Sequence, residues 1–291
     1  MKRHSIRDYF AKARQKGFAI GAFNAANIET FKAIVAAAQN LSSPVIIESS
    51  AGETAYIDGE NLFDLVANTK EKTGLPIFLN LDHAQDLKVI KNLINVGYDL
   101  IHYDGSELPV KANMRNTKKV VAWARQARRG ILVEAEMDHI TGSSVPRLDK
   151  SVASVQKLGN YTDPELAARF ARLTGVDTLA VFVGNVHGAY KEPKMLDLDR
   201  LERIAQKTSC FLSLHGGSTI PGGVIKIAIK VGGIVKINVN TELRMAFRET
   251  LEKVLKTSDE VAVYKLMPPV IEAIQAVVEK KIKLFGSIGQ A

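Results

Sequence analysis

Short apolar runs and amphipathic stretches alternate along almost the whole chain. Ser5 can cap a helix over 6–15 that Gly17 ends, and strands over 19–24 and 44–50 are followed by helices over 28–39 and 59–71. Strand 76–82 precedes helix 87–96, strand 99–104 precedes helix 114–128, and strand 131–136 leads into a polar stretch, 138–163. That stretch exceeds a routine connection and is read as a mobile lid. Helix 164–173, strand 178–183, helix 197–207, strand 211–214, helix 224–231, strand 234–239 and a helix starting near Glu242 complete the series. Residues 267–283 have the spacing of an amphipathic helix, suited to covering the body of the protein or a neighbouring subunit. The strands are near-continuous apolar runs, as expected of strands buried on both faces. About eight strand–helix units predict one (β/α)8 TIM barrel domain spanning 1–291 with additional terminal helices; an open doubly wound sheet is the rival.

Composition narrows the function more than the fold. A net charge of +8 favours anionic partners, but the basic groups Arg125-Gln-Ala-Arg-Arg129 and Lys280-Lys-Ile-Lys283 fall in predicted helices and read as solvated faces. A phosphorylated small molecule suits this charge, and no nucleic-acid partner is expected. Cys210 is the single cysteine, so no intrachain disulfide can form, and its apolar strand context reads as a small buried hydrophobe. The first residues lack an apolar signal-peptide core and no segment is long and apolar enough for a membrane span, so a cytoplasmic protein without a membrane partner is expected.

The predicted strands end on chemistry. In order they finish at Asn24, Ser50, Asp82 with His83, Asp104, Glu136, His187, His215 with Gly216-Gly-Ser218, and Asn238-Val-Asn-Thr241. In a parallel barrel these ends meet at one face however far apart they are in sequence. His83, His187 and His215 each follow an apolar run and together make a three-imidazole metal shell with an open position. Asp82 is better placed as a general acid or base than as a further ligand. Asp104 and Glu136 suit an outer or alternative metal position, or orientation of the histidines by hydrogen bonds. Gly216, Gly217 and Ser218, and Asn240 with Thr241 before a helix, offer backbone N–H and hydroxyl groups to an oxyanion, although Gly-Gly-Ser alone is also an ordinary turn.

Taken in order, Gly21-Ala-Phe-Asn24, Leu81-Asp-His83, Asp104-Gly-Ser106, Val133-Glu-Ala-Glu136, Gly184-Asn-Val-His-Gly188, Leu214-His-Gly-Gly-Ser218, Lys236-Ile-Asn-Val-Asn-Thr-Glu242 and Leu284-Phe-Gly-Ser287 resemble the class II, zinc-dependent fructose-bisphosphate and tagatose-bisphosphate aldolases. The resemblance covers nearly the entire chain. It implies a zinc ion on His83, His187 and His215, with Asp104 and Glu136 matching acids that hold a second or displaced metal position. Asp82 matches the acid that handles the aldehyde-derived hydroxyl proton, and Asn238 the residue that helps hold the enediolate. Gly188, Gly216, Ser218, Asn240 and Thr241 match a phosphate cradle in which a monovalent cation, Na+ or K+, is often found. The implied reaction is reversible cleavage of a ketose bisphosphate, fructose 1,6-bisphosphate first, to dihydroxyacetone phosphate and an aldehyde such as glyceraldehyde 3-phosphate, in a dimer or tetramer.

One segment departs from that pattern. Family members carry acids on the loop after the Glu136 position, and one of these glutamates moves the proton at the dihydroxyacetone phosphate carbon. Here Ser143 and Ser144 stand in their place. A hydroxyl cannot replace a carboxylate base near neutral pH without an activating partner. Asp138, His139 or Asp149 can substitute, depending on how the loop folds. The alternatives are an aldolase for another sugar phosphate, such as tagatose 1,6-bisphosphate, and a metal- and phosphate-binding barrel with little turnover.

Overall fold

Eight parallel strands close on themselves in chain order in the computed structural model, which describes residues 4–127, 130–156 and 158–291. They are β1 (Ile20–Asn24), β2 (Val45–Ser50), β3 (Ile77–Ala84), β4 (Leu100–Asp104), β5 (Leu132–Glu136), β6 (Thr178–Ala180), β7 (Phe211–Leu214) and β8 (Ile234–Val239). β8 pairs back onto β1, with Asn238 opposite Ala22, so no strand edge is left open. The (β/α)8 barrel is the architecture expected from the alternation.

Around it run α1 (Ile6–Lys16), α2 (Ile28–Asn40), α3 (Ala51–Ile57), α4 (Gly59–Thr73), α5 (Leu87–Val96), α6 (Val110–Gln126), α7 (Pro164–Thr174), α8 (Leu198–Lys207), α9 (Gly222–Gly232), α10 (Thr241–Thr257), α11 (Val263–Leu266) and α12 (Pro268–Phe285). Their ends follow local chemistry. Asp163 accepts hydrogen bonds from the N–H groups of Glu165 and Leu166, Pro164 fills the first turn of α7, and Gly175 closes it in the left-handed conformation. α12 buries Val270, Ile274, Val278, Ile282 and Phe285 against the barrel, α2 and α10, so the terminal amphipathic helix covers its own chain.

The barrel interior is layered two residues at a time, the period at which strand side chains return to the same face. Its lowest layer is apolar: Ile20, Ile46, Phe78, Leu100, Leu132 and Phe211 cluster with Ile6, Phe10 and Ala13 of α1, which plugs the N-terminal mouth. Two residues further on stand Glu48, Asn80, His102, Glu134 and Ser213, joined by Lys236 of β8, all fully buried. Two further still come Ser50, Asp82, Asp104, Glu136, His215 and Asn238. The outward faces carry Ile47, Leu79, Ile101, Val133 and Leu212, which pack under the helices.

The structure departs from the expected elements at three points. α3 was not expected; Ser50 caps it, with Glu53 completing a reciprocal capping box. α6 starts at Val110 rather than at 114, while its expected end at Arg128, like Arg129 of the basic group, lies outside the described residues. β6 stops at Ala180, which places His187 on the connection that follows rather than at a strand end. Val181, Phe182 and Val183 are nonetheless buried: Phe182 packs with Ile140, Val152 and Tyr161 of the preceding loop, while Val181 and Val183 join the main core under the helices. Among the described residues no helix is long and apolar enough to cross a membrane. Cys210 is half-buried, and burial pushes its thiol up to about 11, so it stays protonated.

Candidate active site

The C-terminal ends of the strands surround a cleft of about 330 Å3. Twelve of the fifteen expected site residues line it: Asn24, Ser50, Asp82, His83, Asp104, His187, Gly188, Gly216, Ser218, Asn238, Asn240 and Thr241. Glu136, His215 and Gly217 do not border it. Glu136 and His215 are buried, and the Gly217 N–H donates to the Asn238 carbonyl at 2.9 Å, so it is already committed. His139, Ser143, Ser144 and Arg244 complete the polar wall.

Asp82 and His83 are consecutive, so a regular strand would send them to opposite faces. At His83 the backbone turns left-handed, with φ 47°, and the β3–β4 register shifts between Leu81 and Ala84. This bulge is what lets both side chains border the cleft. His102 supports it from below: its Nδ1 accepts the His83 backbone N–H at 3.1 Å. His102 was missed because it sits inside a strand; the available signal was its position two residues before Asp104.

Two imidazoles then meet. His83 Nδ1 lies 2.9 Å from Asp104 Oδ2, and His215 Nε2 lies 2.6 Å from Glu134 Oε1. A carboxylate only accepts, so each of these nitrogens carries the hydrogen. The other nitrogens, His83 Nε2 and His215 Nδ1, face each other at 2.9 Å. One proton or one metal ion satisfies both lone pairs. Burial opposes charge on His83, but Asp82, Glu136 and Asp104 outweigh it and push the group up to about 10. His215 goes the other way, to about 3, through burial and the Lys236 ammonium.

Two donor sets share His83. Asp82, His83, His102 and His215 present ligand atoms within 4.8 Å of one another, and so do His83, Asp104 and Glu136. Glu136 Oε2 is buried without a hydrogen bond, 3.5 Å from His83 Nδ1, and burial raises the Glu136 carboxyl to about 8. His187 belongs to neither set; its ring centroid stands 5.0 Å from that of His83 and 6.2 Å from that of His215.

Beneath the cleft lies a charged cluster that sequence reading left out. Lys236 Nζ is 2.8 Å from Glu134 Oε2 and 3.6 Å from Glu48 Oε2. Ser213 Oγ donates to Glu134, while Asn80 and Asn238 donate to Glu48. Asn238 Nδ2 also reaches Asp82 Oδ1 at 3.1 Å, tying Asp82 to the cluster. At the rim, Glu53 accepts from Asn24, Ser50 and Arg244.

The loop after β5 forms one wall. The His187 N–H donates to the Thr141 carbonyl at 3.0 Å, and the Arg147 N–H to that of Ala189 at 2.7 Å. Gly142 has φ 108° and lies so close that a Cβ would fall 2.6 Å from the His187 carbonyl. Of Asp138, His139 and Asp149, only His139 borders the cleft.

The profile of the fructose-bisphosphate aldolase class-II family matches residues 4–290. The chain belongs to that family. The fructose-bisphosphate aldolase of Thermus caldophilus is 36% identical across 96% of this chain and 97% of its own length. That of Streptococcus pneumoniae TIGR4 is also 36% identical, across 99% of both chains. The crystal structure of the YdjI aldolase from Escherichia coli K12 superposes with a TM-score of 0.84 at 32% identity, covering 99% of this chain and 98% of that one. Class II aldolases are metal-dependent lyases, and the opposed lone pairs of His83 and His215, with the orphaned Glu136 Oε2, fit a divalent metal in this member.

Proposed function

We propose that this protein is a zinc-dependent class II aldolase that reversibly cleaves fructose 1,6-bisphosphate to dihydroxyacetone phosphate and glyceraldehyde 3-phosphate. The observation that carries the reading is the meeting of His83, which borders the polar-walled cleft, with His215 buried behind it, each ring held by a carboxylate. We assign His187 as the third nitrogen donor, because it borders the cleft beside His83, whereas His102 is fully buried outside the cleft lining and its Nδ1 takes the His83 backbone N–H. Asp104 and Glu136 offer the second position. When bound, the metal supplies Lewis-acid stabilisation of negative charge at the ketose carbonyl oxygen.

The side chains do the rest. The C3–C4 bond breaks as Asp82 takes the proton from the C4 hydroxyl, whose oxygen becomes the aldehyde carbonyl. The bonding pair stays on C3 as an enediolate, which Asn238 on the cleft wall helps to hold, and a proton delivered to C3 completes dihydroxyacetone phosphate. His83, His215 and Lys236 overcome burial electrostatically and hold the Asp82 carboxyl well below its usual range, so it is ionised and able to accept. Gly188, Gly216, Ser218, Asn240 and Thr241 cradle a phosphate, with the N-terminal end of α10 adding its dipole.

His139 is our candidate for the proton at C3, in place of the acids that Ser143 and Ser144 lack. His139→Asn is expected to lower kcat by about 10²-fold and to slow proton exchange at that carbon equally. Unchanged exchange would remove His139 from the mechanism. The function itself is tested by coupled release of dihydroxyacetone phosphate from fructose and tagatose 1,6-bisphosphates, with zinc and then with a chelator. Chelator-sensitive release from the fructose ester supports the reading. Preference for the tagatose ester would change the substrate, and zinc binding without release from either would favour a binding barrel. We further read the protein as a cytoplasmic homo-oligomer with one domain.

A further inference from the structure

A buried cation stands behind the phosphate cradle. Lys194, on the connection between β6 and α8, is fully shielded from solvent. Its Nζ donates to the backbone carbonyls of Val186 at 3.0 Å, Gly188 at 2.9 Å and Gly216 at 2.7 Å. An ammonium has three N–H groups, and these three oxygens take all of them. Among the described residues no carboxylate lies within 4.0 Å; Glu242, the acid that acts on it from farther away, is itself paired with Lys281. Burial pushes Lys194 down to about 7, with Glu242 pulling upward and Lys281 pressing further down. The charge therefore lacks an anion, which a phosphate over Gly188 and Gly216 would supply.

The three carbonyls are arranged by special backbone. Gly188 has φ 93° and Gly216 has φ 61°, and a Cβ on Gly216 would fall 2.4 Å from the Val186 carbonyl oxygen. Only glycine can bring the two connections this close. Three convergent carbonyl oxygens are also what replaces the hydration shell of a bare Na+ or K+. Here the point on which they converge is taken by Nζ, so the cradle does not fit the resident monovalent ion that the aldolase resemblance implies.

We propose that Lys194 is a tethered replacement for that ion, so that this protein supplies its own cation behind the phosphate and needs no Na+ or K+. The inference rests on the cleft binding a phosphorylated substrate. Lys194 is a positioning residue: it ties Val186 and Gly188, which flank His187, to Gly216, which follows His215, and it adds positive charge to the anion site.

The test uses the zinc-loaded protein exchanged into tetramethylammonium buffer, a cation too large for three carbonyls, with Na+ or K+ then added. The wild type is expected to keep its KM for fructose 1,6-bisphosphate and its melting temperature across all three salts. Lys194→Met, which keeps the stem and removes the charge, is expected to raise KM about tenfold in tetramethylammonium, the scale of one lost charge interaction. Added K+ or Na+ is expected to restore it and raise the variant's melting temperature. A wild type stimulated severalfold by K+ or Na+ would overturn the proposal, as would a variant with unchanged KM or no cation response. If Lys194→Met does not fold, Lys194→Gln takes its place, and the salt response of the wild type decides independently of either variant. If the wild type cleaves no ketose bisphosphate, calorimetric titration with inorganic phosphate and the melting measurements still decide the role of Lys194 separately from the substrate.

Discussion

His187→Ala is expected to lose both the bound zinc and aldol cleavage, with activity falling on the order of 10³-fold or more, the several kcal/mol that a Lewis acid contributes. The side chain borders the cleft, and its ring makes no hydrogen bond to another described side chain, so truncation removes a donor without opening a core cavity. His102→Asn separates the competing assignments. His102 has a nitrogen among the clustered ligand atoms, yet its Nδ1 is engaged by the His83 N–H. If His187 is the third donor, His102→Asn keeps one tightly bound zinc per chain and loses activity through a misplaced His83. Metal content after gel filtration, read beside circular dichroism to confirm folding, decides the matter. A His187→Ala protein that keeps zinc and turnover refutes the assignment.

Glu134→Gln should destabilise the metal-free protein by about 3–5 kcal/mol, because it leaves Lys236 charged and buried with only the more distant Glu48 as counter-ion. The ion pair need not be a net source of stability for this to hold. Two charges in the barrel centre pay a large desolvation cost, and it is the orphaned partner that makes a single removal expensive. Glu134→Leu combined with Lys236→Met is therefore expected to recover much of the loss. Urea unfolding of the apoprotein reads the effect without the contribution of bound metal. A loss below about 1 kcal/mol for Glu134→Gln would mean that water hydrates Lys236 or that Lys236 gives up its proton. The same change frees the His215 ring from its carboxylate, and zinc affinity should drop about 10- to 100-fold.

The barrel was legible because its strands are apolar in continuous runs and its connections end in glycine. The site was legible because strands ending on Asp82, Asp104, Glu136 and His215 have no structural need of such residues. Glu48, His102, Glu134 and Lys236 were hidden by the same reasoning: each sits within a strand directly after an apolar residue, so the run reads as core. Their signal is the period of two, in which Glu134 precedes Glu136 and Lys236 precedes Asn238 on one inward face. α3 escaped notice because Ala51-Gly-Glu-Thr54 resembles a turn, although Ser50 and Glu53 are spaced as a capping box. Lys194 gave no sequence signal at all, since its carbonyl partners come from two connections brought together by the fold.

The lacing of the β5–α7 loop to the segment around His187 bears on how new substrate preferences can be engineered into this scaffold. Thr141 with His187, Arg147 with Ala189 and Lys150 with Lys191 are joined backbone to backbone, and Gly142 and Gly188 leave room for one another's loops. Chimaeras with a crossover between 150 and 187 would combine half of this seam with a foreign half. Grafts that carry both connections as one cassette keep the seam intact, so libraries built on paired exchange should yield more folded, active clones than libraries that shuffle the first loop alone.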